Sequence, residues 1–549
     1  MPTPSHHRMS QSRRSRGGRR LRVGVIGAGI GGLTAALELS NAGHDVLVCE
    51  AQPTLGGKMR QVHFPDHADA AGGIDSGPTV FTMRWVFDAL FDDLGLNFAD
   101  HVGLQPLSVL ARHGWPDGSR LDLFADLERT VDAIAQFAGR RDGEAYRAFC
   151  REAAAVFETL EAPFMAAPKP SPIELSARIM GRNPLGLTNI HPFRTLAGAL
   201  EARFRDPRLR QLFGRYATYT GGSPYQSPAT LMLIAHAERR GVWMLDGGMH
   251  ALAQAFAGLA AERGAEIRLS APVTDITTDP DGRRVTGIML ESGEAIACDA
   301  VVFNGDISAL GTGRVHAIVG SARGETNSAV RRAHVRDVVG PGQRSQSAMT
   351  WSALAHVSPD VAAHTVAFST DYKAEFDATF TRHALPSAPT VYLHAPDRTE
   401  HAHGSGADVG VDEAQAASGL SARGRERIFA LTNAPANGDT ATYGPGTQQR
   451  AFDAMCVSLN ACGFAVDFAE DACVTTTPHD FACMFPGSGG ALYGRAPHGW
   501  QASFERAGNA SPISGLYLCG GSVHPGAGVP MATLSGRLAA MALGIDADR

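Results

Sequence analysis

The feature that most constrains the fold of this chain is a glycine triplet between an apolar strand and a helix. Gly27, Gly29 and Gly32 follow a predicted strand (residues 23–26) and precede a predicted helix (residues 33–39), with the spacing G-x-G-x-x-G. Gly27 permits a tight turn, Gly29 lets the backbone approach a pyrophosphate, and Gly32 allows the helix to pack closely on the strand. The N-terminus of the helix offers free N–H groups and a positive dipole to the phosphates.

An acidic residue at the end of a second predicted strand extends this pattern. Residues 46–49 are apolar, and Glu50 follows them, eighteen residues after Gly32. A carboxylate at this point can accept hydrogen bonds from both hydroxyls of a ribose. Because strand, glycines, helix, second strand and carboxylate occur in this order, we predict a dinucleotide site. The alternative is a glycine-rich turn that binds no ligand.

A second glycine pair follows Glu50. The segment AQPTLGGKMR contains Gly56, Gly57, Lys58 and Arg60, and a loop of this kind offers a second phosphate-facing surface. It resembles the corresponding extension in FAD enzymes of the glutathione-reductase-like class, particularly the amine oxidase and phytoene desaturase superfamily. The resemblance favours FAD over NAD. It implies an α/β fold in which a Rossmann-like FAD-binding domain is interleaved with an α+β substrate domain.

Three further segments narrow the resemblance. They are D-S-G-P-T at residues 75–79, a Gly-Gly-Met before a predicted helix at residues 247–249, and the C-terminal stretch 516–543, which contains H-P-G-x-G. Together they resemble the bacterial-type carotenoid and phytoene desaturases over nearly the whole chain. Residues 110–126 and 212–229 are most similar to the 1-hydroxycarotenoid 3,4-desaturases, or methoxyneurosporene dehydrogenases.

This resemblance implies a flavoprotein oxidoreductase that acts on CH–CH groups. The expected reaction introduces a C-3,4 double bond into 1-hydroxy or 1-methoxy acyclic carotenoids, as in spheroidene and spirilloxanthin biosynthesis. Alternatives in the same superfamily are a phytoene desaturase, another carotenoid oxidoreductase or an amine oxidase. A prenyl-binding escort protein without redox chemistry is an alternative of another class, but Glu50 and the C-terminal glycine segment argue against it.

The cofactor-binding residues follow from the motif and the resemblance together. Val273 is expected to contact the adenine through its backbone. The backbone N–H groups of Gly526, Gly528 and Val529 are expected to face the flavin pyrimidine ring. This ring becomes anionic on reduction, and the positive end of the following helix stabilises that charge. The predicted set is Gly27, Gly29, Gly32, Glu50, Gly57, Lys58, Gly77, Val273, Gly520, Gly526, Gly528 and Val529.

The catalytic candidates are His524, Arg112, Arg215 and Tyr219. His524 is either a catalyst or a buried, hydrogen-bonded structural histidine. The other three lie in the stretches of finer similarity, beside His113, Tyr216 and Tyr225, and can bind the oxygen-bearing end of the substrate. For the tyrosines, packing in the core is the alternative. We see no catalytic triad, and the delocalised charge of a polyene makes a strong base unnecessary.

The predicted domains are discontinuous. Residues 21–110, 225–305 and 475–549 are assigned to the FAD-binding domain, and residues 111–224 and 306–474 to a substrate and membrane-facing domain. Residues 1–20 are predicted to be a disordered basic tail, with contact to anionic lipid as the alternative. Residues 172–204 are an amphipathic candidate for a membrane surface, although an ordinary cap helix would have the same pattern.

Composition limits the possible partners. A net charge of −6 gives no reason to expect nucleic acid. The eight cysteines show no C-x-x-C spacing, which favours a reducing compartment. No apolar run is long enough for a bilayer span. We predict no metal site, since His401 and His403 lack a third ligand. The expected partners are an acyclic C40 carotenoid and, as electron acceptor, a quinone or oxygen. We expect a cytoplasmic protein bound peripherally to the inner or photosynthetic membrane.

Overall fold

The computed structural model describes residues 19–66, 73–184, 186–315, 328–398 and 424–547. The predictions for the first 18 residues of the tail and for the loop with His401 and His403 lie outside these ranges.

The described residues form 19 β-strands and 15 α-helices. The strands are β1 (Arg22–Ile26), β2 (Asp45–Cys49), β3 (Gln61–Val62), β4 (Ile74–Asp75), β5 (Leu104–Pro106), β6 (Val109–Gly114), β7 (Arg120–Phe124), β8 (Trp243–Leu245), β9 (Glu266–Arg268), β10 (Val273–Thr278), β11 (Val285–Leu290), β12 (Ala295–Ala297), β13 (Ala300–Phe303), β14 (Ser347–Val357), β15 (His364–Ala367), β16 (Val391–His394), β17 (Glu426–Ala434), β18 (Val466–Thr476) and β19 (Leu516–Leu518). The helices are Ile30–Asn41, Arg84–Asp93, Leu127–Ala138, Arg140–Leu160, Pro172–Arg182, Leu196–Arg203, Pro207–Gly214, Leu233–Arg239, Gly248–Glu262, Ile307–Thr312, Ser328–His334, Tyr372–Phe376, Pro445–Ala461, Pro478–Met484 and Val529–Ala547.

A parallel sheet of five strands, in the order β19-β13-β1-β2-β9, joins both ends of the chain. The predicted strand–helix–strand unit at its centre is confirmed as β1, helix Ile30–Asn41 and β2. β1, β2, β13 and β19 are almost entirely buried, as expected for parallel strands covered on both faces. The α/β fold class is therefore confirmed.

The C-terminal segment is part of this Rossmann-like unit. β19 pairs with β13, and β13 pairs with β1. The last helix, Val529–Ala547, packs against helix Ile30–Asn41. A Cβ atom on Gly536 would stand 2.3 Å from the Gly31 carbonyl oxygen, so only glycine permits this approach of the two helices. The glycine-rich segment between β19 and the last helix is thereby held beside the first glycine loop.

Residues 265–306 were expected to be antiparallel strands, and this is correct for their middle part. β10, β11 and β12 form an antiparallel three-stranded sheet. β9 and β13, at the two ends of the stretch, join the parallel sheet instead. The alternating sequence pattern predicts a strand but does not identify its partner, and the fully buried β13 finds its partners in β1 and β19.

A second large sheet has seven strands in the order β18-β14-β17-β16-β15-β6-β7. The apolar stretches 390–393 and 427–434 are predicted to be paired strands, and the antiparallel pair β16–β17 confirms this. Only the β15–β6 pair in this sheet is parallel. β6 is thereby placed beside β15, which positions His113 against a buried part of the sheet.

The periodicity of residues 130–210 predicts helices, and the helices between residues 127 and 214 confirm this. The predicted amphipathic stretch 172–204 forms two separate helices, Pro172–Arg182 and Leu196–Arg203. Pro184 and Pro192 lie between them, and proline interrupts the hydrogen bonds of a continuous helix.

None of the helices in the described ranges is long and apolar enough to cross a bilayer. All eight cysteines fall within those ranges, and none of them forms a disulfide. The predicted domain limits stay a prediction.

Candidate functional site

The first glycine loop is a tight turn between β1 and helix Ile30–Asn41. Gly27 has a φ of 96°, in the region that favours glycine. A Cβ atom on Gly32 would stand 2.2 Å from the Gly27 carbonyl oxygen, so the helix approaches the turn more closely than any side chain would allow. Gly29 is the N-cap of the helix, with an extended backbone. The free N–H groups of the first helical turn therefore begin at this glycine.

Asn304 ties this loop to the C-terminal glycine segment. It follows β13 directly, and its Nδ2 donates hydrogen bonds to the carbonyl oxygens of Gly27 (3.1 Å) and Gly29 (3.3 Å). Its Oδ1 atom lies 2.8 Å from the position that a Cβ on Gly520 would occupy. One amide side chain thus fixes two glycine segments that are almost 500 residues apart in the sequence.

Glu50 lies beside the same loop, at the end of β2. It is buried, and its Oε2 accepts a hydrogen bond from the backbone N–H of Ala28 (2.7 Å), while Oε1 accepts one from Gln52 (2.9 Å). Each carboxylate oxygen retains acceptor capacity for a ribose hydroxyl. Val273 begins β10 next to this position and packs in the same apolar cluster as Cys49. The ribose and adenine roles of Glu50 and Val273 stay predictions.

The second glycine loop packs directly on the first. The Gly56 N–H donates to the Ala28 carbonyl (2.9 Å), and a Cβ on Gly57 would stand 3.2 Å from the Gly29 Cα atom. The D-S-G-P-T segment packs on the other side of the second loop. A Cβ on Gly77 would stand 1.8 Å from the Lys58 carbonyl oxygen, which makes glycine necessary there.

The C-terminal glycines line a space with few neighbouring atoms. For a Cβ atom on Gly526 the nearest atom would be Arg506 Nε at 3.7 Å, and for one on Gly528 it would be a Met531 carbon at 3.9 Å. Helix Val529–Ala547 begins immediately after them. Its first N–H groups have no partner within the helix, so the glycine backbone and the helix start together offer several donors.

Two cations lie near these segments, the half-buried Lys58 and the buried Arg506, and their hydrogen bonds go to carbonyl groups. Lys58 Nζ donates to the Leu492 carbonyl (2.6 Å). Arg506 donates to the carbonyl oxygens of Gly521 (3.0 Å), Tyr493 (3.0 Å) and Arg495 (2.8 Å). Burial lowers the pKa of Lys58, and it lowers the pKa of Arg506 to about 10.

An anionic ligand would reverse this cost of burial, since an opposite charge favours the protonated form of each group. Asp306 raises the pKa of both groups, but within the described ranges neither cation has a hydrogen bond to a carboxylate. The half-buried Lys58 and the buried Arg506, together with glycine backbone facing open space, suit a diphosphate and a flavin ring that becomes anionic. The residues present therefore fit FAD. The Lys58 and Arg506 side chains and the glycine backbones are the groups that would hold it.

His524 lies at the edge of this region with its side chain turned away from the glycines. The imidazole is fully buried, and Nε2 lies 2.9 Å from the Ala167 carbonyl oxygen, to which it donates. The Phe164 ring packs edge-on against it at 5.0 Å. Burial lowers the pKa of His524 to about 4, so the ring is neutral at neutral pH. This geometry favours the structural alternative for His524 over the catalytic one.

The remaining catalytic candidates lie in two separate places. Arg112 forms a bidentate ion pair with Asp122 across the β6–β7 hairpin, at 2.8 and 2.7 Å. Arg215 and Tyr219 lie together on a buried helical turn and contact Glu238. Arg112 is not brought into this group, because alternate residues of a strand point to opposite faces and it is the adjacent His113 that is fully buried.

Two residues of the cofactor region are missing from the sequence-based prediction. Asn304 could have been suspected from the polar triplet N-G-D directly after an apolar strand, because residues at the carboxyl ends of parallel strands meet at one edge. Arg506 lies in an irregular stretch and carries no signal in a single sequence.

Similarity to known proteins agrees with this geometry. Residues 30–338 match the family of flavin containing amine oxidoreductases. The chain is 44% identical over 524 residues to a hydroxyneurosporene desaturase of Rubrivivax gelatinosus, covering 95% of this chain and 93% of that protein. It is 40% identical to a hydroxyneurosporene desaturase of Cereibacter sphaeroides, covering 95% and 97% of the two chains.

A solved structure shares the fold at low sequence identity. An oxidoreductase from Methanosarcina mazei superimposes with a TM-score of 0.57 at 16% identity, covering 94% of this chain and 99% of that one. The similarity to the two desaturases extends along almost the entire chain. The chain therefore belongs to the flavin containing amine oxidoreductases and, within them, to the carotenoid desaturase family.

Proposed function

We propose that this protein is an FAD-dependent carotenoid desaturase that introduces a C-3,4 double bond into 1-hydroxy or 1-methoxy acyclic carotenoids. The observation that carries the proposal is the identity of 44% with a hydroxyneurosporene desaturase over 95% of the chain. The joined glycine segments, with Lys58 and Arg506 beside them, provide the cofactor site that such a reaction needs. Spheroidene and spirilloxanthin biosynthesis are the pathways in which this reaction belongs.

The residues of the site indicate which part of the reaction the cofactor performs and which part the protein performs. Bound FAD supplies the capacity to accept a hydride from one carbon, while a proton leaves the neighbouring carbon. The glycine loops hold the cofactor, and Lys58 and Arg506 offset its negative charge. The apolar interior excludes water from the reacting carbons. No residue is required as a strong base, because positive charge beside a polyene is delocalised and a water molecule at the edge of the site suffices to accept the proton.

The electron acceptor and the cellular location of the protein are part of the same proposal. A quinone or oxygen is the acceptor that reoxidises the cofactor. The protein works from the cytoplasm, bound peripherally to the inner or photosynthetic membrane, because the substrate is dissolved in the bilayer.

The substrate preference is tested by supplying the FAD-loaded protein with 1-hydroxyneurosporene or with phytoene. We expect the hydroxylated substrate to be converted to a product that absorbs at longer wavelength, because one more conjugated double bond extends the chromophore. Chromatography with absorbance detection identifies the product. Conversion of phytoene alone would contradict the proposed substrate class.

Exposed apolar side chains are the membrane contact in this proposal: Ile173 and Met180 on helix Pro172–Arg182, and the neighbouring rings of Phe193 and Trp500. Ile173 is 83% exposed and Phe193 is 82% exposed, and the Phe193 and Trp500 rings lie 5.8 Å apart. From Trp500 a row of rings runs inward through Phe504 and Phe164 to His524, with successive centroids 6.4, 6.1 and 5.0 Å apart. This row of packed rings connects the exposed surface with His524.

The double variant Phe193→Ser, Trp500→Ser is expected to bind membranes about tenfold less well or worse, because each large apolar side chain that enters the bilayer contributes about 1.5–3 kcal/mol when fully buried. Flotation with anionic liposomes at low salt measures the bound fraction. Val457→Ser is the control, since Val457 is also exposed (67%) but lies on helix Pro445–Ala461. Absence of the wild-type protein from the liposome fraction would contradict the membrane contact.

A further inference from the structure

A buried polar cluster in the interior has no role in the cofactor site. Arg215 lies at the start of a short helical turn, Arg215–Thr220, and Glu238 lies on helix Leu233–Arg239. The Tyr216 and Tyr219 hydroxyls donate to the two oxygens of Glu238. Arg215 Nη2 lies 3.2 Å from the Tyr219 hydroxyl and 3.9 Å from Glu238 Oε1. Two hydroxyl groups and one guanidinium thus satisfy the carboxylate.

A second hydrogen-bonded chain lies next to this group. The Tyr392 hydroxyl is 2.7 Å from Thr79 Oγ1 and 2.7 Å from His364 Nδ1. The charge of Arg215 reaches the histidines beside it. Burial first, and then this charge, lowers the pKa of His113 to about 3. Burial, the neighbouring His394 and then the charge of Arg215 lower the pKa of His364 well below its ordinary value. Both rings are neutral at neutral pH. We call Arg215, Tyr219, Glu238, His113, His364 and Tyr392 the Arg215 cluster.

The Arg215 cluster keeps buried polar atoms that have no partner among the described residues. They are Arg215 Nε, His113 Nε2 and His364 Nε2, and their side chains are 9%, 0% and 2% exposed. A buried polar group without a partner costs about 1–3 kcal/mol, so such groups need an explanation. A ligand that brings its own oxygen atom would satisfy them.

The types of the free atoms define what that ligand must offer. Arg215 Nε is a donor. His113 Nδ1 lies 3.1 Å from the Leu121 carbonyl, to which only a protonated Nδ1 can bond, so Nε2 of the neutral ring is an acceptor. A tertiary alcohol can accept from the first and donate to the second. An ether oxygen can accept from Arg215 but has no hydrogen to offer His113.

The cluster is connected to the cofactor segments at two points. Thr79, the partner of Tyr392, ends the D-S-G-P-T segment that packs on Lys58. Gly221, which follows the turn of Arg215, packs on the Tyr493 ring, and the Tyr493 carbonyl accepts from Arg506. The Arg215 cluster therefore lies one layer of residues from the groups that would hold FAD.

This position agrees with the chemistry of the substrate. In a 1-hydroxycarotenoid the oxygen on C1 is three bonds from C3 and four from C4, which places it about 4–5 Å from the carbons that lose hydrogen. A site that recognises this oxygen must therefore lie next to the redox centre and cannot lie at the far end of the bound polyene. We infer that the Arg215 cluster recognises the oxygen-bearing end of the carotenoid, with Arg215 as the donor to its oxygen and His113 as the acceptor of its hydroxyl hydrogen.

This inference rests on the proposed function and is tested with three substrates that differ only at C1. They are 1-hydroxyneurosporene, 1-methoxyneurosporene and 1,2-dihydroneurosporene, and kcat/KM is measured on protein with equal FAD content. For Arg215→Met we expect kcat/KM to fall about tenfold or more on both oxygenated substrates and to stay unchanged on the hydrocarbon, because only the oxygen loses a partner. For His113→Phe, which keeps the ring stacked on Phe368, we expect the loss on the hydroxylated substrate alone.

The control variant is Arg203→Met, which removes a different Arg–Glu pair of the helical region and should leave all three substrates unaffected. Equal losses on the three substrates would assign Arg215 a purely structural role and overturn the inference. If both variants kept the wild-type preference among the three substrates, the inference would also be overturned. If the FAD-loaded wild-type protein converts none of the three, the proposed function fails and the inference falls with it.

Discussion

Gly29→Val is expected to give folded protein that retains about a tenth or less of the wild-type FAD. Gly29 has an ordinary extended backbone, and the closest atom to its Cβ position is Asn304 Nδ2 at 3.0 Å, so the fold can accept a side chain with a small shift. The added isopropyl group would occupy the face on which the backbone meets the pyrophosphate. At Gly32, by contrast, the same change would collide with the Gly27 carbonyl and disrupt the turn itself.

The measurement for Gly29→Val is the ratio of flavin to protein absorbance after purification, with circular dichroism as the test of folding. Gly258→Val is the matched control, since Gly258 is exposed on helix Gly248–Glu262 and a Cβ atom there meets nothing within 4 Å. The control should keep its flavin. Normal FAD stoichiometry in Gly29→Val would mean that the pyrophosphate does not lie on this loop.

Asn304→Leu is expected to lose FAD and to destabilise the fold by about 1–3 kcal/mol. The substitution keeps the approximate volume but removes the donor to the carbonyl oxygens of Gly27 and Gly29. The Gly29 oxygen still accepts from the Leu33 N–H, so the cost of a buried acceptor without a partner, about 1–3 kcal/mol, falls on Gly27. Because the same side chain touches Gly520, the N-terminal and C-terminal glycine segments would also lose their common contact.

Chemical denaturation, monitored with and without added FAD, measures this effect. Asn41→Leu is the control, because Asn41 ends helix Ile30–Asn41 on the surface, where its only described side-chain bond is to Arg263. An exposed substitution of this kind changes stability by about 0.5 kcal/mol or less. Wild-type stability and flavin content in Asn304→Leu would show that the two glycine segments do not depend on this residue.

The nucleotide-binding part of the fold could be predicted from the sequence because its signals are local. Strand, glycine spacing, helix and carboxylate occur within some thirty residues, and Gly27 and Gly32 have the constrained positions that the motif requires. The role of the C-terminal glycine segment came from resemblance. Its pairing through β19 with β13 is non-local, and no pattern within residues 516–543 identifies β13 as the partner strand.

The residues that join distant segments could not be predicted for the same reason. Asn304 acts on Gly27 and Gly29 only because β13 lies beside β1. From the sequence, Arg112 and Arg215 are equally good candidates for a substrate contact. In the structure Arg112 forms an ion pair with Asp122, whereas Arg215 lies buried beside Glu238. Which of two arginines faces the interior depends on strand orientation and on packing between sheets and helices, neither of which a short stretch of sequence contains.

The central claim is that a carotenoid transfers hydrogen to FAD held by the joined glycine segments. The most direct measurement is anaerobic mixing of the FAD-loaded protein with 1-hydroxyneurosporene, without any other electron acceptor. We predict that the visible band of oxidised flavin disappears while a carotenoid band at longer wavelength grows, with one product molecule formed for each flavin reduced. A carotenoid that changes while the flavin stays oxidised, or a flavin that stays oxidised with unchanged carotenoid, would contradict the account.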